Sequence, residues 1–441
     1  DFKKGVEFKC YADKRLPHAR VVAIESDRGF ALSVLQRVDA ELKRRGELFR
    51  KVGSQDLGGY NRSGEKPLPR TLLLIDEFQE FFTEDDSGAQ QASLLLDRIV
   101  RQGRAFGIHV ILGSQTLGGA YTLARATLGQ MAIRIALQCN ETDAHLIMDE
   151  ENPAPRLLTR PGEGIYNDQS GMMAANSPFQ IVWLPERERE ALLDRVNALA
   201  KQSGKAVTPP IVFEGNAPAE IRDNPDLEKA LRLPPVVRPA SASAWLGAPN
   251  SIKGPTAAVF KRHSGSNLLA VSQSPEQSVS LLASSIISLA AQFPPDQVEF
   301  IILDPQAADE ASGSPLKTLA AKLPHTRIGG PAEVTEWFTT LAETLESRAP
   351  SSGKNAPETF LIIHDLQRFK SLRPDDEFRF SYDDTPAPVS PSQVFANLLG
   401  DGGPNGIHVI ATIDTWNNVS RWIPGKVLAG FEFRLLVQFG G

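Results

Sequence analysis

The chain repeats itself. Thr359-Phe360-Leu361-Ile362-Ile363-His364-Asp365-Leu366-Gln367-Arg368-Phe369 aligns with Thr71-Leu72-Leu73-Leu74-Ile75-Asp76-Glu77-Phe78-Gln79-Glu80-Phe81. Gly406-Ile407-His408-Val409-Ile410 matches Gly107-Ile108-His109-Val110-Ile111, and Arg434 and Gln438 match Arg134 and Gln138. Leu323-Pro324-His325 matches Leu16-Pro17-His18, and Asp304 matches Asp1. The matches keep one order at a separation of about 300 residues, the mark of two copies of one structural plan. A chain of 441 residues is also longer than one compact domain usually is.

The plan is α/β. Val21–Ile24, Leu72–Ile75, Ile108–Leu112 and Ile133–Leu137 read as short apolar strands. Between and after them, Phe30–Phe49, Ser93–Gln102 and Ala191–Lys201 read as amphipathic helices, and the alternation argues for a mostly parallel sheet. The unbroken run Leu72–Ile75 fits a strand buried on both faces. Residues 53–69 read as a loop, and Glu84-Asp85-Asp86 as a solvated turn. Arg44 and Arg45 read as a solvated helix face. From Val207 to Pro239 prolines accumulate, which reads as an extended linker or clasp. The expected division is 1–205, a linker over 206–240, and 241–441.

Open α/β sheets place ligands at the carboxyl ends of their strands, where Asp76 and Glu77 fall. A carboxylate there can hold Mg²⁺ at nucleotide phosphates, and a second acid can activate water. The same pair would also suit the first turn of a helix, whose dipole favours acids. The net charge of −6 announces no basic field, although a local basic lining would suffice for nucleic acid. Two cysteines, Cys10 and Cys139, without a CxxC or Cys/His cluster, speak against structural zinc or a disulfide framework and for a reducing compartment. They read as small core residues. No apolar run approaches the ~18 residues that a membrane helix needs, and no signal peptide is evident. The chain opens Asp1-Phe2-Lys3-Lys4, so an excerpt of a longer protein is expected.

Five stretches combine into a more specific pattern: Leu16-Pro17-His18; the helix with Glu41 and Arg44-Arg45; Leu72 to Asp76 with Glu77; Arg104-Ala105-Phe106-Gly107-Ile108-His109-Val110-Ile111-Leu112-Gly113-Ser114-Gln115; and Ile133-Arg134-Ile135-Ala136-Leu137-Gln138. Gly162-Glu163-Gly164-Ile165-Tyr166 adds a late Gly-rich strand entry. Together they resemble the FtsK/SpoIIIE/HerA branch of RecA-like motor ATPases, over residues 1–185 and, more weakly, 245–441. The resemblance implies two tandem RecA-like P-loop NTPase domains using ATP and Mg²⁺. It implies Asp76 as the Mg²⁺-holding acid at the nucleotide, Glu77 as the residue that polarises water, and Gln115 as a γ-phosphate sensor. Arg104 becomes the candidate arginine finger across a subunit boundary, with Arg101 and Arg134 as competitors. It further implies a homo-hexameric ring translocating double-stranded DNA, with phosphate-gripping loops in Tyr121–Arg125 or Arg62–Lys66. His18 and His109, in apolar settings, read as structural.

Two departures from the family pattern stand out. The first copy lacks the G-x-x-x-x-G-K-[S/T] loop that cradles phosphates, which is expected upstream of residue 1. The second copy reads Ser272-Gln273-Ser274-Pro275-Glu276-Gln277-Ser278-Val279 there, with neither Lys nor Gly, and carries His364-Asp365 for Asp76-Glu77. Imidazole is a poor ligand for Mg²⁺, so the second copy is expected to be inactive. A tandem of one intact and one decayed copy also resembles type VII secretion ATPases, whose cargo is secreted protein. A non-hydrolysing scaffold is the third reading. The expected location is cytoplasmic, with a membrane anchor outside this stretch as an alternative.

Overall fold

The computed structural model describes residues 1–441 except 3–7, 14–15, 25–26, 119–124, 205–207, 209, 216–217, 308–312, 349–355, 375–389 and 438–441. Gln438 and the stretch from Tyr121 to Leu123 and Ala124 lie outside the described residues. Two compact units form, Asp1–Pro218 with Asn250–Lys253, and Ala219–Pro249 with Gly254–Gly441.

Among the described residues, the first unit holds β1 (Val21–Ile24), β2 (Thr71–Ile75), β3 (Ile108–Leu112), β4 (Arg134–Leu137), β5 (Glu163–Asn167), β6 (Ser177–Gln180) and β7 (Ile211–Glu214). β2 and β3 pair in parallel, β4, β5 and β6 form an antiparallel meander, and β1 pairs in parallel with β7. The second unit holds β8 (Ala242–Gly247), β9 (Thr256–Phe260), β10 (Leu268–Ser272), β11 (Val298–Leu303), β12 (Thr326–Gly329), β13 (Glu358–Ile363), β14 (Ile407–Ile413) and β15 (Phe433–Val437). Its main sheet is six-stranded and all parallel, in the order β12-β11-β13-β14-β10-β15. β8 and β9 form an antiparallel hairpin.

The second unit explains why its strands are apolar throughout. β13 and β14 are central and buried along their whole length. Leu361 and Ile363 face the helix Val334–Arg348 through Trp337, Phe338 and Leu341. Phe360 and Ile362 face the helix Pro275–Ala290 through Leu282, Ile286 and Leu289. Covering both faces is what an all-parallel sheet requires.

The repeat is visible at the level of register. Thr71 pairs with Ile108 as Thr359 pairs with Ile407. β2 is nevertheless not buried on both faces as its sequence suggests. Leu73 and Ile75 pack on the helices Arg28–Lys51 and Ser87–Gly103 through Leu35, Leu42, Ala92, Leu96 and Ile99. Leu72 and Leu74 are 55% and 49% exposed. Their counterparts Phe360 and Ile362 lie under the helix Pro275–Ala290, which follows β10, and the first unit's described residues contain no counterpart of that strand and helix.

Two arginines carry the repeat into hydrogen bonding. Arg134 gives Nε to the Met131 carbonyl and Nη2 to that of Leu128, while Arg434 does the same to Phe431 and Leu428. Arg45 gives Nη2 to Thr71 Oγ1 at 2.9 Å and Nη1 to the Phe106 carbonyl at 2.7 Å. Arg348 reaches Thr359 Oγ1 at 3.2 Å and the Asn405 carbonyl at 3.3 Å. Arg44 is a solvated residue, 50% exposed, but Arg45 is not: its side chain is 2% exposed and ties the helix to the starts of β2 and β3. Helical periodicity alone does not show that a long cation can reach back under a sheet. Arg45→Leu is expected to destabilise the first unit by about 2–3 kcal/mol, since it strands Thr71 Oγ1, the Phe106 carbonyl and half of Glu41's pairing. Arg44→Leu is expected to stay within about 0.5 kcal/mol. Urea unfolding of both variants checks the contrast.

Other expectations shift in detail. Residues 53–69 contain a short helix, Leu57–Arg62, started by Asp56 accepting from the Gly59 amide and anchored by Leu57 and Tyr60 on Phe49. The acidic turn is exposed, but Asp86 also caps the helix Ser87–Gly103 and pairs with Arg28 at 2.8 Å. The window 206–240 is not all linker. Ile211–Glu214 is β7, whose Phe213 stacks on Phe30 at 4.0 Å, and Pro225–Arg232 is a helix capped by Asn224. Proline at a helix's first turn is as natural as in a linker, so proline density alone misled. Among the described residues no helix is long and apolar enough to cross a membrane.

Candidate active site

Asp76 and Glu77 leave the end of β2 at the carboxyl edge of its sheet. Gly113 closes the ladder around them: its amide donates to the Ile75 carbonyl at 2.8 Å and its carbonyl accepts from the Phe78 amide at 3.1 Å. The two acids are thereby looped out of the strand pairing. Glu77 takes a left-handed backbone, φ 53° and ψ 45°, before the turn Phe78–Phe82, which Phe78, Phe81 and Phe82 anchor in the core. Asp365, its counterpart, has φ 55°. A Cβ at Gly113 would lie 2.7 Å from Asp76 Oδ1, so the missing side chain leaves room for the carboxylate. In the second unit that place is taken by Thr412, whose hydroxyl accepts from the Asp365 amide at 3.0 Å.

Asp76 is half-buried, whereas Glu77 is 3% exposed. Gln79, also buried, donates Nε2 to Glu77 Oε2 at 2.5 Å, and Ser114 Oγ lies 2.6 Å from Gln79 Oε1. Asp143, buried as well, accepts from the Leu117 amide at 2.8 Å and from Thr116 Oγ1 at 3.1 Å, which fixes the segment after β3. Gln79, Gly113, Ser114 and Asp143 were not singled out from the sequence. The S-Q ending of β3 was a signal for Ser114, but Asp143 comes from the distant helix Glu141–Ile147 and nothing local marks it.

Gln115 is exposed at the same edge as Asp76, because β2 and β3 end in register at Ile75 and Leu112. Arg104 is exposed just after the helix Ser87–Gly103 and precedes β3. It therefore lies at the opposite edge from Asp76, one strand length or roughly 16 Å away. Arg62–Lys66 is exposed as well, following a helix whose Leu57 amide bonds the Ala105 carbonyl at that same amino edge. Arg101 pairs with Asp97 at 2.8 Å. Arg134 is committed to helix-end carbonyls, and burial lowers its proton affinity. Of the three arginines, Arg104 alone carries none of these structural commitments. Cys10 and Cys139 are half-buried rather than core residues, with burial pushing the Cys139 thiol up. His18 and His109 are both exposed. Their expected apolar surroundings depend on neighbours: His408, the counterpart of His109, is buried with Nδ1 2.8 Å from the Ser266 carbonyl, in the approach to β10.

A lone, half-buried carboxylate such as Asp76 fits Mg²⁺, which keeps several waters and takes its other ligands from phosphates. Among the described residues no group of three or more His, Cys, Asp or Glu side chains could hold a metal by itself. The second unit differs. Asp304 Oδ1 lies 3.1 Å from His364 Nδ1, and Asp304 Oδ2 accepts from Ser314 Oγ at 2.5 Å. Burial pushes the Asp304 carboxyl up, but these bonds and the Gln306 amide outweigh it and hold the group below the usual carboxylate range. An imidazole–carboxylate pair thus stands where the first unit has Asp76. After β10, the Ser274 hydroxyl caps its own helix by accepting from Gln277 N, closing the end that a phosphate loop leaves open.

No family model matches the chain. The DNA translocase FtsK of Streptococcus agalactiae is 30% identical over 168 residues, which is 36% of this chain and 20% of that protein. FtsK of Helicobacter pylori J99 is 27% identical over 204 residues, 44% of this chain and 22% of that protein. The chain resembles the FtsK-type DNA translocases over part of its length. It spans about a fifth of the length of these curated relatives. Among solved structures, the cytoplasmic domain of the type VII secretion ATPase EccC of Thermomonospora curvata superimposes with a TM-score of 0.62 at 19% identity, over 100% of this chain and 52% of that one. EssC (ATPases 2 and 3) of Geobacillus thermodenitrificans does so with a TM-score of 0.54 at 14% identity, over 94% and 72%. At these identities the likeness establishes the fold alone: two α/β domains in tandem.

Proposed function

We propose that this chain is part of an ATP-hydrolysing ring motor that translocates double-stranded DNA, with chemistry confined to the first unit. The observation that carries the reading is the Asp76–Glu77 pair, looped out by Gly113 at the carboxyl edge of a parallel strand pair in a chain related to FtsK. Asp76 would hold Mg²⁺ through water, Glu77 would polarise the attacking water, and Gln115 would sense the γ-phosphate. The phosphate-cradling loop would come from a strand and helix outside residues 1–441, seated over Leu72 and Leu74 as β10 and the helix Pro275–Ala290 seat over Phe360 and Ile362. Arg104, at the far edge of its own unit, would serve a neighbour's site in a homo-hexamer. The second unit, with its Asp304–His364 pair and self-capped helix, would be a non-hydrolysing structural ring.

Protein export is the second reading. It is favoured by the tandem likeness to EccC and EssC across nearly the whole chain, and one such EccC structure is a complex with a signal sequence peptide. ATPase activity of the full-length protein, with and without linear double-stranded DNA, separates the two. Strong stimulation by DNA is expected. Basal activity indifferent to DNA would favour a protein cargo, and no activity at all would reject both motors.

A further inference from the structure

We propose that Gln79 is a positioning residue for Glu77, coupling its carboxylate through Ser114 to the segment that follows β3. The proposal rests on the reading of Glu77 as the residue that activates water.

Gln79 is 4% exposed and sits within a turn whose other inward residues are phenylalanines. An amide buried there is unfavourable unless both its ends are bonded. Both are. A carboxylate only accepts, so the amide nitrogen must face Glu77, which leaves Gln79 Oε1 for the Ser114 hydroxyl. Ser114 Oγ in turn accepts from the Thr116 amide at 3.2 Å, and Thr116 Oγ1 is held by Asp143. A continuous chain of polar contacts thus runs from Glu77 to the ligand-facing segment around Gln115.

The second unit supplies an internal control. Gln367 is the counterpart of Gln79, but Ile413, fully buried, replaces Ser114. Gln367 Oε1 is buried and has no hydrogen-bond partner among the described residues. The amide persists in both copies, while the serine that orients it is present only beside the intact Asp-Glu pair. A purely structural need for glutamine in this turn would not discriminate in this way.

The consequence is chemical. A buried carboxylate stays ionised only where donors offset its lost hydration. Gln79 supplies such a donor and restricts Glu77 to one direction, and any shift of residues 114–117 reaches Glu77 through Ser114.

The test is steady-state ATP turnover of the full-length protein for wild type, Glu77→Gln, Gln79→Leu, Ser114→Ala and Ser114→Thr, with thermal melting of each. Gln79→Leu is expected to lower kcat by about tenfold with little change in KM for ATP. Ser114→Ala should do the same to a smaller extent, and Ser114→Thr, which keeps the hydroxyl, should restore kcat. A merely structural role would lower the melting temperature and leave kcat at the wild-type level below the melt. A wild-type kcat in Gln79→Leu, or in Ser114→Ala should Gln79→Leu not fold, overturns the proposal while Glu77→Gln stays inactive. Wild-type turnover in Glu77→Gln would instead overturn the hydrolytic reading beneath it.

Discussion

Glu77→Gln in the full-length protein is expected to cut ATP turnover by about 10²–10⁴-fold, the usual contribution of a positioned general base. The substitution is isosteric, and the new side chain keeps an oxygen that can accept from Gln79 Nε2, so neither the left-handed turn nor its phenylalanine anchors need move. What is lost is the negative charge that draws a proton from water. Asp76 is untouched, and ATP affinity should change only a few-fold. Turnover assays beside calorimetric nucleotide binding check this split. Retention of turnover within about tenfold of wild type would remove Glu77 from the role of base.

The second large effect concerns stability. Glu358→Leu is expected to destabilise the second unit by about 3–5 kcal/mol, the penalty for breaking a buried ion pair by removing one partner. Glu358 opens β13 and is buried. Arg262 Nε lies 2.7 Å from its Oε1, and His408 Nε2 lies 3.5 Å from its Oε2. Arg238 stands at 4.0 Å, and Arg348 is within reach as well: burial lowers its proton affinity, and Glu299 and, less, Glu358 oppose that. Removing the carboxylate leaves these arginines facing one another. Burial pushes the Glu358 carboxyl up, but His408 and Arg262 outweigh it, so its proton affinity in the folded unit is below normal. The sign follows: the contribution is fully present above the unfolded value of about 4.3 and is lost as pH falls through the lower folded value. Asp304, depressed as well, acts in the same direction. Urea unfolding between neutral pH and pH 3 should show the second unit weakening in acid, and Glu358→Gln should flatten that dependence. An unchanged slope in Glu358→Gln would place the acid sensitivity elsewhere.

The sequence made the repeat, the strand cores and the acid pair legible, since each rests on local pattern: a run of apolar residues, a helical stripe, two acids at a strand end. It was silent wherever the deciding neighbour lies far along the chain or among residues not described. Leu72–Ile75 reads as fully buried because its pattern is that of β13, yet exposure depends on a strand and helix absent from the described residues of the first unit. Arg45 reads as a surface cation because periodicity reports direction from the helix axis, not what a long side chain can reach. Gln79 reads as one polar residue among phenylalanines, and its use depends on Ser114 and, beyond it, on Asp143. Proline counting over 206–240 missed that β7 is held by stacking of Phe213 on Phe30.

The left-handed backbone at Glu77 and Asp365 has a consequence for how such a protein would respond to selection. Residues with a Cβ lose roughly 1–2 kcal/mol there relative to glycine. Heat resistance alone, applied to a population of variants, would favour glycine at residue 77 and silence the site while the molecule became sturdier. The same backbone at Asp365, where the acid pair is altered, offers that gain in robustness away from Glu77, so under the proposed division of labour the second unit is where hardening against temperature and upkeep of turnover do not compete.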